Sequence, residues 1–227
     1  MINNNKKNIK LFLLLIISIL IITWYFIFNY ERDYGFFTSS LEIIVNIVFY
    51  NVIVYLLSKH IKISNIFHIV MFILFQVYLW FLYLITVYIS IGFAVFAGYQ
   101  HQFRGSFHIP LYSVNIIPFR SIIHTFISPP SLATYVQVFG NIVLFAPLCF
   151  FLLYFHALSV KKTLLLVACS SISIEVIQLV QNFFLSTYIY GVNRSSDIDD
   201  VILNTCGSLI GILVYKFASL VKFRWFN

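Results

Sequence analysis

The sequence predicts an all-α protein: a polytopic transmembrane helical bundle of about six spans with both termini cytoplasmic. Three observations predict it. Hydrophobic residues make up 61% of the 227 residues and charged residues only 9%, whereas soluble domains run near half apolar and a quarter charged. Mean hydropathy is +0.96. The apolar residues also fall into runs of bilayer-crossing length, separated by short clusters of charge. The +7 net charge therefore reads as topology signalling. It forms no basic patch on a soluble surface, so nucleic acid is not an expected partner.

A span needs roughly 20 mostly apolar residues. The first is 11–28, after Lys6, Lys7 and Lys10. It resembles a signal peptide's basic head and apolar body. No small-x-small cleavage site follows Trp24 and Tyr25, so it reads as retained. The second, 41–57, is interrupted by Asn46 and Asn51. The third, 66–91, has an apolar character that continues to about Ala97. Spans at 135–155, 163–182 and 200–220 complete the set. The domain reading is thus three N-terminal spans in 1–100, an extracellular, partly interfacial loop in 101–134, and three further spans in 135–221.

Charge asymmetry sets the orientation. With the N-terminus inside, the cytoplasmic side carries Lys6, Lys7, Lys10, Lys59, Lys62, Lys161, Lys162, Lys216, Lys222 and Arg224, against Arg32, Arg104, Arg120 and Arg194 outside. Ten against four follows the positive-inside rule. All four outer residues are Arg, the residue suited to bidentate pairing with carboxylate or phosphate. Arg32, beside Glu31 and Asp33, reads as a solvated loop residue. The stretch HIPLYSVNIIPFRSIIHTFISPP in the long outer connection is too polar and Pro-broken to span, and its apolar piece 115–127 reads as interfacial or re-entrant.

Acidic residues are scarce, seven in all, yet Asp197, Asp199 and Asp200 crowd into four positions before the last span. At about 100° per residue, Asp197, Asp200, Asn204, Gly207 and Gly211 fall within roughly 80° of arc, with Asp199 pointing elsewhere. Gly207 and Gly211 form a GxxxG that lets another helix come close. On the fifth span, Ser171, Glu175, Gln178 and Asn182 make one stripe. An ionisable residue at the depth of Glu175 is a functional candidate by default, with Arg194, Asn204 or a proton as its expected partner. The fourth span adds Asn141 and, at mid-depth, Pro147, which predicts a kink. Asn115, Arg120, Asn141, Glu175, Gln178, Arg194, Asp197, Asp200 and Asn204 therefore converge on the outer leaflet as a candidate ligand-binding set, with Glu175 and Asp200 as candidate acid or base. In a structural reading these groups pair to lock the bundle. In a functional reading they line a pocket open to the outer surface. Paired charges this deep are a costly way to glue helices, which weighs toward function for Glu175 and Arg194.

Other chemistry is not in the pattern. The six histidines are scattered, with no HExxH. The cysteines Cys149, Cys169 and Cys206 form no CxxC pair and read as buried apolar residues. Ser195 and Ser196 lack an evident base. No Gly-rich phosphate loop appears. The sequence thus implies no metal and no cofactor.

Four segments carry a resemblance: VNIIPFRSI (114–122), GNIVLFAPL (140–148), SISIEVIQ (171–178) and NRSSDIDDVILNTCGSLIG (193–211). In order and spacing they resemble the VanZ-like family over 113–214. Cys149 stands where that family usually has Gly, and Ile116 where it usually has Leu. The resemblance implies a multi-pass protein of a bacterial, Gram-positive plasma membrane, related to a protein that lowers susceptibility to the glycopeptide teicoplanin. It supplies no catalytic assignment. Two functions fit. One is an accessory envelope protein binding a membrane lipid, a lipid-linked wall precursor or a lipoglycopeptide. The other is a membrane-embedded hydrolase or transferase on an isoprenoid-phosphate or lipid substrate, and the sequence leaves open whether the protein is an enzyme. A transporter ranks third, because no paired repeat supports it.

Overall fold

The computed structural model describes residues 36–89, 106–127, 132–186 and 195–226, with 13, 16–20, 23 and 91 besides. Of the predicted first span, 11–28, residues 13, 16–20 and 23 are among those described, all helical, and the rest lies outside them. Five described helices are long and apolar enough to cross a membrane: Phe36–Ser58, Ile66–Thr86, Thr134–Tyr154, Val160–Leu185 and Ile198–Leu220. At 1.5 Å per residue they run about 32 to 39 Å, enough for a hydrocarbon core of about 30 Å. The protein is an all-α membrane protein. Its chain forms two compact units, Met1–Gly105 and Ser106–Asn227.

In the first unit, α1 (Phe36–Ser58) and α2 (Ile66–Thr86) are joined through a turn whose Ile61 and Ile63 are buried. Asn65 caps α2 by accepting the His68 N–H at 2.8 Å. The two helices are stitched antiparallel: Tyr88 donates to Glu42, Tyr83 to Asn46, and Tyr50 to the carbonyl of Gln76. Ile44, Val48, Val52 and Leu56, four apart on α1, are exposed, the pattern of a face whose solvent is lipid.

The third span was expected to continue to 91 and beyond, but α2 stops at Thr86. Asn46 explains the stop. Its amide accepts the Ile89 N–H at 3.0 Å and donates to the Ile89 carbonyl at 2.8 Å. A buried side chain thus satisfies backbone groups that a continuing helix would otherwise have to satisfy.

The second unit starts with a 3₁₀ turn at Leu111–Ser113, β1 (Val114–Asn115) and α3 (Arg120–Ile127). It continues with α4 (Leu132–Leu144), α5 (Ala146–Tyr154), α6 (Val160–Leu185), β2 (Ser196–Asp197) and α7 (Ile198–Phe226). The fourth span is two helices, broken at buried Phe145. Pro147, the second residue of α5, has no N–H to offer the carbonyl one turn back. After α5, His156 sits in the left-handed region at φ 51°. Its N–H bonds to Leu153 O and that of Ala157 to Leu152 O, a Schellman ending that turns the chain into α6.

α7 is the hub, packed on α4, α5 and α6. Its glycines make this possible. A Cβ on Gly207 would lie 1.6 Å from the Ile142 carbonyl oxygen, and one on Gly211 would lie 2.0 Å from that of Ala146. The GxxxG face therefore meets the fourth span backbone to backbone. Cys149 is fully buried as expected, whereas Cys169 and Cys206 are exposed. Both lie on spanning helices, where lipid accepts an apolar thiol on the outside as readily as a core does.

Candidate functional site

The site is assembled around a strand-like crossing. β1 and β2 pair in parallel, Val114 with Ser196 and Asn115 with Asp197. This short ladder sets the 111–127 segment against the start of α7, and it corrects the helical placement of Asp197. That residue lies before the helix, which begins at Ile198.

Asp197 and Asp199 are the deepest of the acidic trio, at 4% and 1% exposure. One Asp197 oxygen accepts the Asn115 amide at 2.8 Å and the Asp199 N–H at 2.8 Å. The other accepts the Ser121 hydroxyl. Asp199, which the helical wheel set apart, accepts three backbone N–H groups: Phe119 at 2.5 Å, Ser121 at 2.7 Å and Ile122 at 3.2 Å. These are the open amides at the N-terminus of α3, a natural seat for a carboxylate. Asn115 completes the knot, donating to Ser121 Oγ at 3.0 Å and accepting from Ile117 N at 3.1 Å. Phe119, at φ 65°, makes the sharp turn into the helix.

Glu175 does not meet Asn204. Its Oε2 accepts the Asp197 N–H at 2.7 Å, and its backbone carbonyl accepts the Ser196 hydroxyl at 3.0 Å. Asn204 instead donates to Ser171 at 2.9 Å, and its buried Oδ1 has no hydrogen-bond partner among the described residues. Gln178 and Asn182 continue the buried stripe of α6. Asp200 is the third kind of carboxylate. It is half-buried, with Oδ1 accepting the Asn141 amide at 2.5 Å. Arg120 is exposed, and Arg194 lies outside the described residues.

A cavity of about 240 Å³ sits among α3, α4 and the head of α7. Arg120, Ser121, His124 and Thr125 line it from α3, Thr134 and Gln137 from α4, and Ser195, Asp197, Asp199, Asp200 and Leu203 from the third side. It gathers Arg120, Asp197 and Asp200 from the predicted set. Asn115, Asn141 and Glu175 hold the wall residues from behind, and neither Gln178 nor Asn204 lines it. Asp199, Ser121, Ser196 and His124 were not anticipated as site residues. The Pro118 just ahead of α3 is a helix-start signal, and open N–H groups there call for a carboxylate. It does not say which carboxylate, because Asp199 lies 80 residues beyond Phe119. Among the described residues no cluster of His, Cys, Asp or Glu has the geometry to hold a metal ion.

The family model of VanZ/LLP1 matches residues 80–219. The chain belongs to the VanZ/LLP1 family. No match is found among curated proteins, and none among solved structures. The match is wider than the motif resemblance, because it begins at Trp80 inside α2. The VanZ/LLP1 match contains every residue of the carboxylate knot and of the cavity wall.

Proposed function

We propose that this VanZ/LLP1 membrane protein is an accessory cell-envelope protein of a bacterial plasma membrane. It binds the head group of a lipid, a lipid-linked wall precursor or a lipoglycopeptide at the outer leaflet, and protection against a teicoplanin-type glycopeptide is the expected phenotype. One observation carries the reading. A cavity of about 240 Å³ at the head of a spanning helix is bordered by Arg120, His124 and a half-buried Asp200. The adjoining segment presents Leu111, Tyr112, Ile116 and Ile127 at about 80% exposure each. Apolar side chains of that kind beside spanning helices suit an interface, where head groups lie.

The test is native mass spectrometry of gently solubilised wild type beside Arg120→Ala and Arg194→Ala. A specific lipid or precursor held by wild type and lost in the variants supports binding. Identical nonspecific lipid on all three well-folded proteins would refute it. In a susceptible Gram-positive host, the same variants should lose any protection against teicoplanin in step with ligand loss.

A membrane-embedded hydrolase or transferase is the second reading. It is favoured by Asp200, whose Oδ2 has no hydrogen-bond partner among the described residues, in the same cavity as His124. It predicts a converted lipid or isoprenoid phosphate when membranes with and without the protein are compared, and no conversion with Asp200→Asn.

A further inference from the structure

The charges around the cavity differ in how far their hydrogen bonds are already used. Asp197 has both oxygens occupied, by Asn115 and Asp199 on one side and Ser121 on the other. Asp199 has both occupied by the amides of α3. These two carboxylates are spent on holding the loop. Asp200 is different: Asn141 fixes Oδ1 at 2.5 Å, which orients the group, while Oδ2 has no donor among the described residues. Arg120 is exposed and lines the same cavity, with no ion pair to a described carboxylate. Among the described residues, one cavity therefore offers a guanidinium without an ion pair and a carboxylate oxygen without a donor, which do not pair with each other.

We propose that this cavity takes a dipolar head group: a phosphate held at Arg120, joined to an ammonium or hydroxyl donor held at Asp200. The inference rests on the binding function proposed above and names its ligand class. Guanidinium matches a phosphate with paired N–H donors. A purely anionic ligand would set its charge near the Asp200 carboxylate, and a purely cationic one would set its charge near Arg120. Only a ligand carrying an anion and a donor a few bonds apart satisfies both groups. Size agrees, since about 240 Å³ falls below the pocket volumes of drug-sized ligands. It suits a head group whose tails remain in the bilayer.

The experiment uses the full-length protein in nanodiscs, with native mass spectrometry as the readout. Four lipids are compared at equal dose: phosphatidylethanolamine, phosphatidylglycerol, phosphatidic acid and phosphatidylcholine. The first two carry an N–H or O–H donor a few bonds from the phosphate; phosphatidylcholine carries a charge there without the donor, and the only O–H of phosphatidic acid is on the phosphate itself. Wild type should retain the donor-bearing pair about tenfold or more over the other two. Asp200→Asn should bring phosphatidylethanolamine and phosphatidic acid to near parity, and Arg120→Gln should weaken both together. Equal retention of phosphatidic acid and phosphatidylethanolamine by wild type overturns the dipolar assignment while leaving lipid binding intact. So does a preference that survives Asp200→Asn. No lipid held above bulk in any arm overturns both the dipolar assignment and the membrane-lipid form of the proposed function. The wild-type ranking alone decides the matter if a variant fails to fold.

Discussion

Removing the Asp199 carboxylate should release the 111–127 segment while leaving the spanning helices packed. Asp199 is 1% exposed and accepts N–H groups from Phe119, Ser121 and Ile122. Two of those bonds, at 2.5 and 2.7 Å, are short and charge-assisted; the third, at 3.2 Å, is weaker. Hydrogen bonds to a charged group contribute about 1.5–3 kcal/mol each. The segment keeps its ties to Asp197 and its pairing with Ser196, so the contributions do not simply add. A local loss of about 3 kcal/mol for Asp199→Ala follows, roughly 150-fold in opening equilibrium. Hydrogen exchange read on a peptide covering 117–123 measures it, because amides there exchange through local opening. Exchange in α6 should hardly change. Asp199→Asn keeps one acceptor oxygen and loses the charge, so it should fall between. Unaltered protection at these amides in Asp199→Ala would refute the argument, since something else would then be holding the loop.

Three other outcomes follow from single contacts. Gly207→Ala should destabilise the second unit by about 3 kcal/mol or more, because its Cβ would sit 1.6 Å from the Ile142 carbonyl oxygen. Gly140→Ala, with nothing among the described residues within 4 Å, is the matched control and should leave the thermal midpoint unchanged or raised. Asn46→Ala should cost about 3 kcal/mol, seen as faster proteolysis in the first unit. It strips the acceptor from Tyr83 and both partners from Ile89. His156→Gly should raise the thermal midpoint, since a left-handed φ of 51° costs an L-residue about 1–2 kcal/mol. His156→Val, branched at Cβ, should lower it.

By itself the sequence determined the solvent and the broad arrangement. Whether a run of residues such as 163–182 enters lipid depends on its own side chains and length, which are local properties. The buried stripe of Ser171, Glu175, Gln178 and Asn182 was legible for the same reason, since helical periodicity places it before any partner is known. The close approach at Gly207 and Gly211 was legible as a capacity, though not as a contact with Ile142 and Ala146.

Tertiary structure decided which polar group meets which. Asn115 and Asp197 are 82 residues apart and Phe119 and Asp199 are 80 apart, and no periodicity links them. They meet because β1 and β2 lie in parallel and α7 backs closely onto α4 and α5. A helical wheel extended one residue too far N-terminal gave Asp197 a helix position where the chain is still extended. Asp199 is helical and does face away from Asp200, about 100° around the wheel, but what that face meets, the amides at the start of α3, no wheel can show. The distinct duties of three neighbouring aspartates arise only there. Donors brought in from distant segments saturate two of them and leave one oxygen of Asp200 without a donor among the described residues.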